Sequence, residues 1–292
     1  MKNILINLLQ KTSGVFLGKG FIDKHFPVLI PLFQKIYGKL QKDEVKTVTI
    51  PLNLKLKVFA KDIGIGLPLT VKGEYEPKET LLFLESVKNG DIVWDIGANV
   101  GYYTVLAAKI TGPEGKIIAF EPDEENAKLL KENLELNKYK NVVVRPEAVF
   151  ETNGRIGFNL EKNNKGDSSV AKSDAGKISV PCVTIDSFFS SGRELPPSVI
   201  KIDIEGAEIQ ALRSGIKTLA SLKKIKLFIE YNPSSLKKLG NNPESLLELL
   251  SKLEFRIINI IDESRGKILP YSKQNLEKTL EHTTYCNLVC AK

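Results

Sequence analysis

Apolar and polar residues along the chain follow two rhythms, and the change comes near Tyr75. Before it, Ile4, Leu5, Leu8 and Leu9, then Leu29, Leu32, Phe33, Ile36, Tyr37 and Leu40, recur at helical spacing with lysines between them, which predicts two amphipathic helices. The stretch 54–59 alternates apolar residues with lysine at period two, and 67–71 reads as a second short strand before Gly73, so a small β element is expected there. After Tyr75, apolar runs of strand length alternate with helical patterns. Such alternation marks an α/β fold with a mainly parallel sheet covered on both faces.

Strands are predicted at 92–96, 116–120 and 142–145, with helices at 102–110 and 124–136 between them. A polar insertion follows, with strands at 155–160 and 178–183 around the loop 161–177, a candidate substrate lid. Next come a strand at 199–204, a helix at 207–214, a strand at 225–231 and a helix at 243–253. The final strands, 255–261 and 284–291, are joined through a weak helical signal at 273–280 and suggest a C-terminal antiparallel hairpin. The chain thus divides into a basic amphipathic helical segment at 1–46, a small β element at 47–72 and an α/β domain at 73–292.

The chemistry concentrates where the strand ending in Asp95 runs into Gly97, Ala98, Asn99 and Gly101 and then into a helix. Glycines in a strand-to-helix turn permit positive φ and let a ligand approach the backbone. The G-x-x-x-G spacing departs from the G-x-G-x-x-G of dinucleotide folds, whose second glycine makes room for a pyrophosphate. A cofactor without phosphates is implied, and S-adenosylmethionine fits: Asp95 offers an acceptor for its ammonium and the loop amides offer donors for its carboxylate. Glu121, at the end of the next strand, stands where an acid accepts both ribose hydroxyls in nucleoside-binding sheets. Glu147 and Ala148, at the end of the third strand, are placed to contact adenine.

These residues belong to a set that resembles the FkbM family of methyltransferases over residues 73 to 292. The resemblance is carried by Gly73-Glu-Tyr-Glu-Pro77, Asp95-Ile-Gly-Ala-Asn-Val-Gly-Tyr-Tyr-Thr104, Phe120-Glu-Pro122, Val183-Thr-Ile-Asp186, Ile200-Lys-Ile-Asp-Ile-Glu-Gly-Ala-Glu208 and Ile229-Glu230. It implies a Rossmann-like class I methyltransferase sheet, S-adenosylmethionine as cofactor, and O-methylation of a hydroxyl on a small molecule, a glycan or a lipid-linked sugar. Residues of these motifs expected around the cofactor are Glu76, Tyr102, Tyr103, Thr104, Pro122 and Asp203, beside those already named.

A hydroxyl is a poor nucleophile until a base accepts its proton as the new bond forms. Asp203, at a strand end, is the first choice of base and Glu205 the second; Lys201, on the same face as Asp203, either pairs with it or orients the acceptor. Glu205 also suits a helix cap, and Glu208 a solvated first-turn position. Asp203 with Glu230 and Asn232 forms a set suited to magnesium, but acids at strand ends are common without metal, and no metal ligand is assigned. Asp186 reads as the cap of a helix from Ser187 onward, and His282 as a solvated residue of a connection.

Charge and cysteine content restrict the rest. The net charge is +7, and residues 1–46 carry eight lysines against Asp23, Asp43 and Glu44. Only six basic residues in the whole chain are arginine, the usual reader of base edges, so nucleic acid is not an expected partner. The basic helices at 1–46 could instead lie on an anionic membrane surface, pack on a partner or a second copy, or cap the main domain. Cys182, Cys286 and Cys290 have no metal or redox spacing, and no apolar run reaches the length of a membrane span, so a cytoplasmic protein, peripheral on the inner membrane face if the helices bind lipid, is expected. Two other functions share some of these features. An NAD-dependent oxidoreductase also needs a glycine turn and an acid, but the glycine spacing speaks against it; a non-catalytic membrane-associated module would be expected to have lost the cofactor residues, and none is missing.

Overall fold

A computed structural model describes residues 44–161, 164–165, 168–171, 178–190 and 195–292. The two predicted N-terminal helices and most of the candidate lid at 161–177 lie outside the described residues.

Val45–Ile50 (β1) and Leu54–Phe59 (β2) form an antiparallel hairpin. Its apolar side chains Ile50, Leu54, Leu56 and Val58 are buried in one core with Val105, Leu106 and Leu130 of the main domain. The edge of β2 is finished by a helix rather than a strand. Asn133 on Glu124–Leu136 and Asn137, the residue that caps its end, stand one turn apart, and their amide groups exchange hydrogen bonds with the backbone of Lys57 (2.6 and 3.0 Å) and Lys55 (3.2 and 2.7 Å). An exposed strand edge is a liability that native folds cover, and here two side chains cover it.

The segment read as a strand at 67–71 is a helix, Gly66–Lys72 (α1). Leu67, Leu69 and Val71 fit period two, but Pro68 disfavours an interior strand position. Asp62 settles the matter, because its carboxylate accepts the amides of Gly64 and Gly66 and nucleates the turn. Pro77–Ser86 (α2) follows, started by Pro77 at its first position and capped from afar by Glu263, which accepts the amides of Lys78 and Glu79 at 2.7 and 2.8 Å.

The α/β domain then runs Ile92–Ile96 (β3), Tyr102–Thr111 (α3), Lys116–Phe120 (β4), Glu124–Leu136 (α4) and Val142–Arg145 (β5). The insertion contributes Ala148–Val149 (β6), Gly154–Asn159 (β7), Ser169–Val170 (β8) and Ile178–Val183 (β9), a small sheet of order β6-β9-β7-β8. After it come Ile185–Ser190 (α5), Val199–Ile202 (β10), Glu208–Arg213 (α6), Ile216–Ser221 (α7), Lys226–Tyr231 (β11), Pro233–Lys238 (α8), Glu244–Lys252 (α9), Arg256–Asp262 (β12), Lys267–Pro270 (β13), Lys273–Leu280 (α10) and Cys286–Ala291 (β14). Asp186 does not cap the helix it sits in. It reaches the start of α7 instead, accepting the amides of Lys217 (3.2 Å) and Thr218 (2.8 Å), while the Thr184 hydroxyl serves α5.

The main sheet has the order β13-β12-β14-β11-β10-β3-β4-β5. β3, β4, β5, β10 and β11 are parallel, and β14 is inserted antiparallel between β11 and β12. This is the class I methyltransferase arrangement. The expected terminal hairpin is present as the β12–β14 pair, with β13 as an additional edge strand. The central strands are apolar almost throughout, as burial on both faces demands, and two cores fill the space above and below them. From β3 the chain moves to β4 on one side and returns through β10 on the other. Ligands bind at such a switch point, beyond the carboxyl ends of the strands.

Candidate active site

At the switch point the loop after β3 is held by backbone. The amides of Gly97 and Ala98 both donate to the Phe120 carbonyl, at 3.0 and 2.9 Å. Gly97 has φ +90°, and a Cβ there would lie 1.9 Å from the carbonyl oxygen of Asp203, so only glycine lets the end of β3 sit against the end of β10. Gly101 has φ +92° and would strike Leu130 of α4 with any side chain. Asn99 between them is also left-handed, at φ 50°.

Two buried carboxylates flank this loop. Asp95 accepts the Thr104 hydroxyl, and burial pushes its pKa up to about 6. Glu121 accepts the amides of Asn99 and Asp123, both at 2.8 Å, and burial outweighs these bonds to push it up to about 7. A cleft opens beside them, lined by Asp95, Gly97, Ala98, Asn99, Tyr102, Tyr103, Glu121, Pro122, Glu147, Ala148, Lys201, Asp203 and Glu205. Of the residues expected from the sequence, Gly101, Thr104 and Glu76 stand behind this lining: Thr104 holds Asp95, and Glu76 accepts the Tyr103 hydroxyl at 3.2 Å. Glu147 is tied by an ion pair to Arg145 (2.7 Å) as it faces the cleft.

Residues not named as site residues from the sequence complete the wall. Tyr75, from the motif at 73–77, and Ile65 and Phe158 line it, with Ser168 and Val170 from the candidate lid; Lys165, also from the lid loop, closes one side, its ammonium 2.8 Å from Glu125, 3.4 Å from Asp123 and 4.7 Å from the centre of the Phe59 ring. Their spacing along the chain carries no period, because hairpin, helix start and insertion meet only in the folded molecule.

The opposite side of the cleft is built from charge. Lys201 is 3% exposed; its ammonium lies 3.1 Å from Asp203, 3.4 Å from Glu79 and 4.5 Å from the centre of the Tyr103 ring. Burial alone would lower its pKa, but Asp203, Glu79, Glu76 and Asp95 together hold it well above the ordinary lysine value. Glu79, which sequence reasoning missed as one more first-turn acid, is fully buried; it accepts Asn287 of β14 (2.5 Å) and the Tyr103 hydroxyl (3.3 Å). Burial, then the neighbouring Glu79, raises Glu76 well above the usual carboxylate range.

Beyond Asp203 the chain makes a tight turn with Glu205 at φ 54° and Gly206 at φ +102°. Glu208 is not solvated as expected. It is completely buried, and its Oε1 folds back to accept the amides of Ile204 (3.2 Å) and Gly206 (3.1 Å), fixing the turn. A charged side chain at a first turn reads as exposed by type alone; the turn's orphan amides draw it inward. Asn232 likewise caps α8 by accepting the Ser235 amide (3.2 Å). In its place Glu205 joins Asp203 and Glu230, and the three offer carboxylate oxygens within 4.8 Å of one another. Burial, then Glu205 and Asp203, raises Glu230 well above its ordinary value. His282 is half-buried and does not line the cleft, and the three cysteines are buried and free.

The family model described as the methyltransferase FkbM domain matches residues 95–257. Among characterised proteins, the hexuronic acid methyltransferase AglP of Haloferax volcanii is 26% identical over 172 residues, covering 59% of this chain and 66% of that protein. Protein-L-isoaspartate O-methyltransferase 1 of Archaeoglobus fulgidus is 36% identical over 114 residues, covering 39% of this chain and 52% of that protein. The chain thus spans less than two thirds of the length of either. Among solved structures, a TehB-like SAM-dependent methyltransferase from Corynebacterium glutamicum aligns with 77% of this chain and 92% of its own, at 12% identity and a TM-score of 0.44. Among the described residues, no helix is long and apolar enough to cross a membrane.

Proposed function

Because the chain belongs to the FkbM methyltransferase family, whose cofactor is S-adenosylmethionine, we propose that it transfers the cofactor's methyl group to a hydroxyl of a sugar-containing acceptor. The observation that carries this reading is the contact between the two halves of the cleft: the glycine loop after β3 rests on the backbone at the end of β10, and Asp203 lines the same cleft, so a methyl donor held by the loop would lie beside the Asp203 end of the cleft.

In this reading Asp95 and the loop amides hold the amino-acid end of the cofactor, Glu121 accepts the ribose hydroxyls, and Glu147 and Ala148 border the adenine. Asp203 is the general base. S-adenosylmethionine would supply an electrophilic methyl group there, and Asp203 would accept the acceptor hydroxyl's proton as the methyl ether forms, with S-adenosylhomocysteine as the other product. Lys201, 3.1 Å from Asp203, holds that carboxylate in place at the cleft wall, and Glu205 beside it borders the acceptor. The hexuronic acid methyltransferase among the relatives supports a sugar as acceptor.

Calorimetric titration with S-adenosylhomocysteine tests the cofactor half of the reading. Micromolar binding that disappears in Asp95→Ala and Glu121→Ala is expected, and NAD binding in its place would overturn the reading. Incubation with S-adenosylmethionine and uronate-containing or neutral glycans, followed by mass spectrometry, then seeks a gain of one methyl group that is lost in Asp203→Asn.

A further inference from the structure

Among the described residues, Asp203, Glu205 and Glu230 bring carboxylate oxygens from the ends of β10 and β11 within 4.8 Å of one another, and Asp203 and Glu205 line the cleft. Acids at strand ends gather often without a ligand, so proximity alone decides nothing. A separate observation does. Glu230 is 6% exposed, its side chain belongs to this trio, and its Oε2 has no hydrogen-bond partner among the described residues. Buried carboxylate oxygens are almost always satisfied, and one that is not calls for an ion or donor. The nearby ammonium of Lys201 bonds to one oxygen of Asp203 and to Glu79, which leaves the Glu230 oxygen unanswered.

We propose that Asp203, Glu205 and Glu230 bind one hard divalent cation, magnesium or manganese, at the floor of the cleft. The donors are all carboxylate oxygens, with no histidine or cysteine in the group, which selects hard ions over zinc or copper. Three carboxylates leave coordination positions open on an ion that prefers six oxygens, and magnesium sites typically fill these with water and substrate. Glu208, fixed by the Ile204 and Gly206 amides, holds the turn that presents Glu205. The cation's use rests on the methyl-transfer reading and lessens what is asked of Asp203 as base: a hydroxyl bound to the ion loses its proton more readily, and a uronate acceptor is drawn into a cleft whose acids would otherwise repel it.

The test needs no acceptor. The full chain, stripped with EDTA, is titrated with Mn²⁺ while the electron paramagnetic resonance signal of free Mn²⁺ is followed, and S-adenosylhomocysteine binding is measured on the same samples. One Mn²⁺ per chain is expected, competed by Mg²⁺ and weakened about tenfold or more in Glu230→Gln and in Glu205→Gln, with S-adenosylhomocysteine affinity unchanged. Absence of saturable Mn²⁺ binding in a protein that binds S-adenosylhomocysteine overturns the cation site and spares the methyltransferase reading. Undiminished Mn²⁺ binding in both variants also overturns it. If Glu230→Gln no longer binds S-adenosylhomocysteine and so has misfolded, Glu205→Gln, at a partly exposed turn, decides alone. Failure of the wild-type chain to bind S-adenosylhomocysteine would count against the cofactor reading, and the Mn²⁺ titration would still decide the cation site.

Discussion

The two walls of the cleft are made by different means. Beyond β3 and β4, shape comes from backbone: left-handed residues at Gly97, Asn99 and Gly101, with amides converging on Phe120 and Glu121. Beyond β10 and β11, it comes from acidic side chains gathered around the buried ammonium of Lys201. A backbone wall fails when a Cβ is added and tolerates changes of charge nearby; a charged wall fails when one partner is removed and tolerates small changes of shape. In the proposed reading, the cofactor, common to many acceptors, is read by the first wall, and the acceptor by the second.

Lys201→Met should have the largest effect. It leaves Glu79 and Asp203 without their cation in a buried setting, and breaking a buried pair costs about 3–5 kcal/mol. Chemical denaturation should show this loss near neutral pH. A loss below about 1 kcal/mol would mean that the acids relax into water and that the charged wall is not rigid. Gly97→Ala attacks the other wall. The left-handed φ and the clash with the Asp203 carbonyl should cost about 2–4 kcal/mol and abolish S-adenosylhomocysteine binding, while Ala98→Gly, one residue on, leaves the loop's turns intact and should bind nearly normally.

Acidity sharpens the contrast. Glu121 is raised from 4.5 to about 7 in the folded chain, so below that pH it is protonated, whereas ribose hydroxyls donate to its ionised form. Affinity for S-adenosylhomocysteine should therefore rise with pH by up to about tenfold per unit and level off above pH 7, and the slope should vanish in Glu121→Gln. A flat profile in the wild type would remove Glu121 from the ribose site. The sign for folding is opposite. A carboxyl raised in the folded state contributes its stability below the unfolded pKa, so the free protein should lose stability from this group as pH rises from about 4.5 to 7. The smallest effect belongs to Asn137→Ala, remote from both walls: about 0.5–1.5 kcal/mol from the lost bonds to Lys55, with cofactor affinity unchanged.

The backbone wall was the legible one. Ile92–Ile96, Lys116–Phe120, Val142–Arg145 and Glu124–Leu136 show their ends in the sequence, because apolar runs stop at glycine, proline or acid where the sheet stops. Period two at 67–71 misled, since Leu67, Leu69 and Val71 also suit a short helix, and the deciding bonds come from Asp62. The charged wall was only partly legible. Asp203 and Lys201 share a strand face and could be paired by alternation. Glu79 and Asn287 are 208 positions apart, and nothing local in either says that they will meet. Glu208 and Glu79 both look solvated by residue type, and burial is a property of the assembled fold.

β14 bears on how the molecule is made. β12 has no hydrogen-bonded neighbour in the parallel sheet and is attached to it only through β14, which is synthesised later. During translation β12 and β13 must therefore wait, their edge open, until β14 emerges and threads between β12 and β11. The same strand carries Asn287, which bonds both Glu76 and Glu79. A ribosome-bound intermediate lacking β14 would leave Glu76 and Glu79 without Asn287, so the charged side of the cleft is finished last.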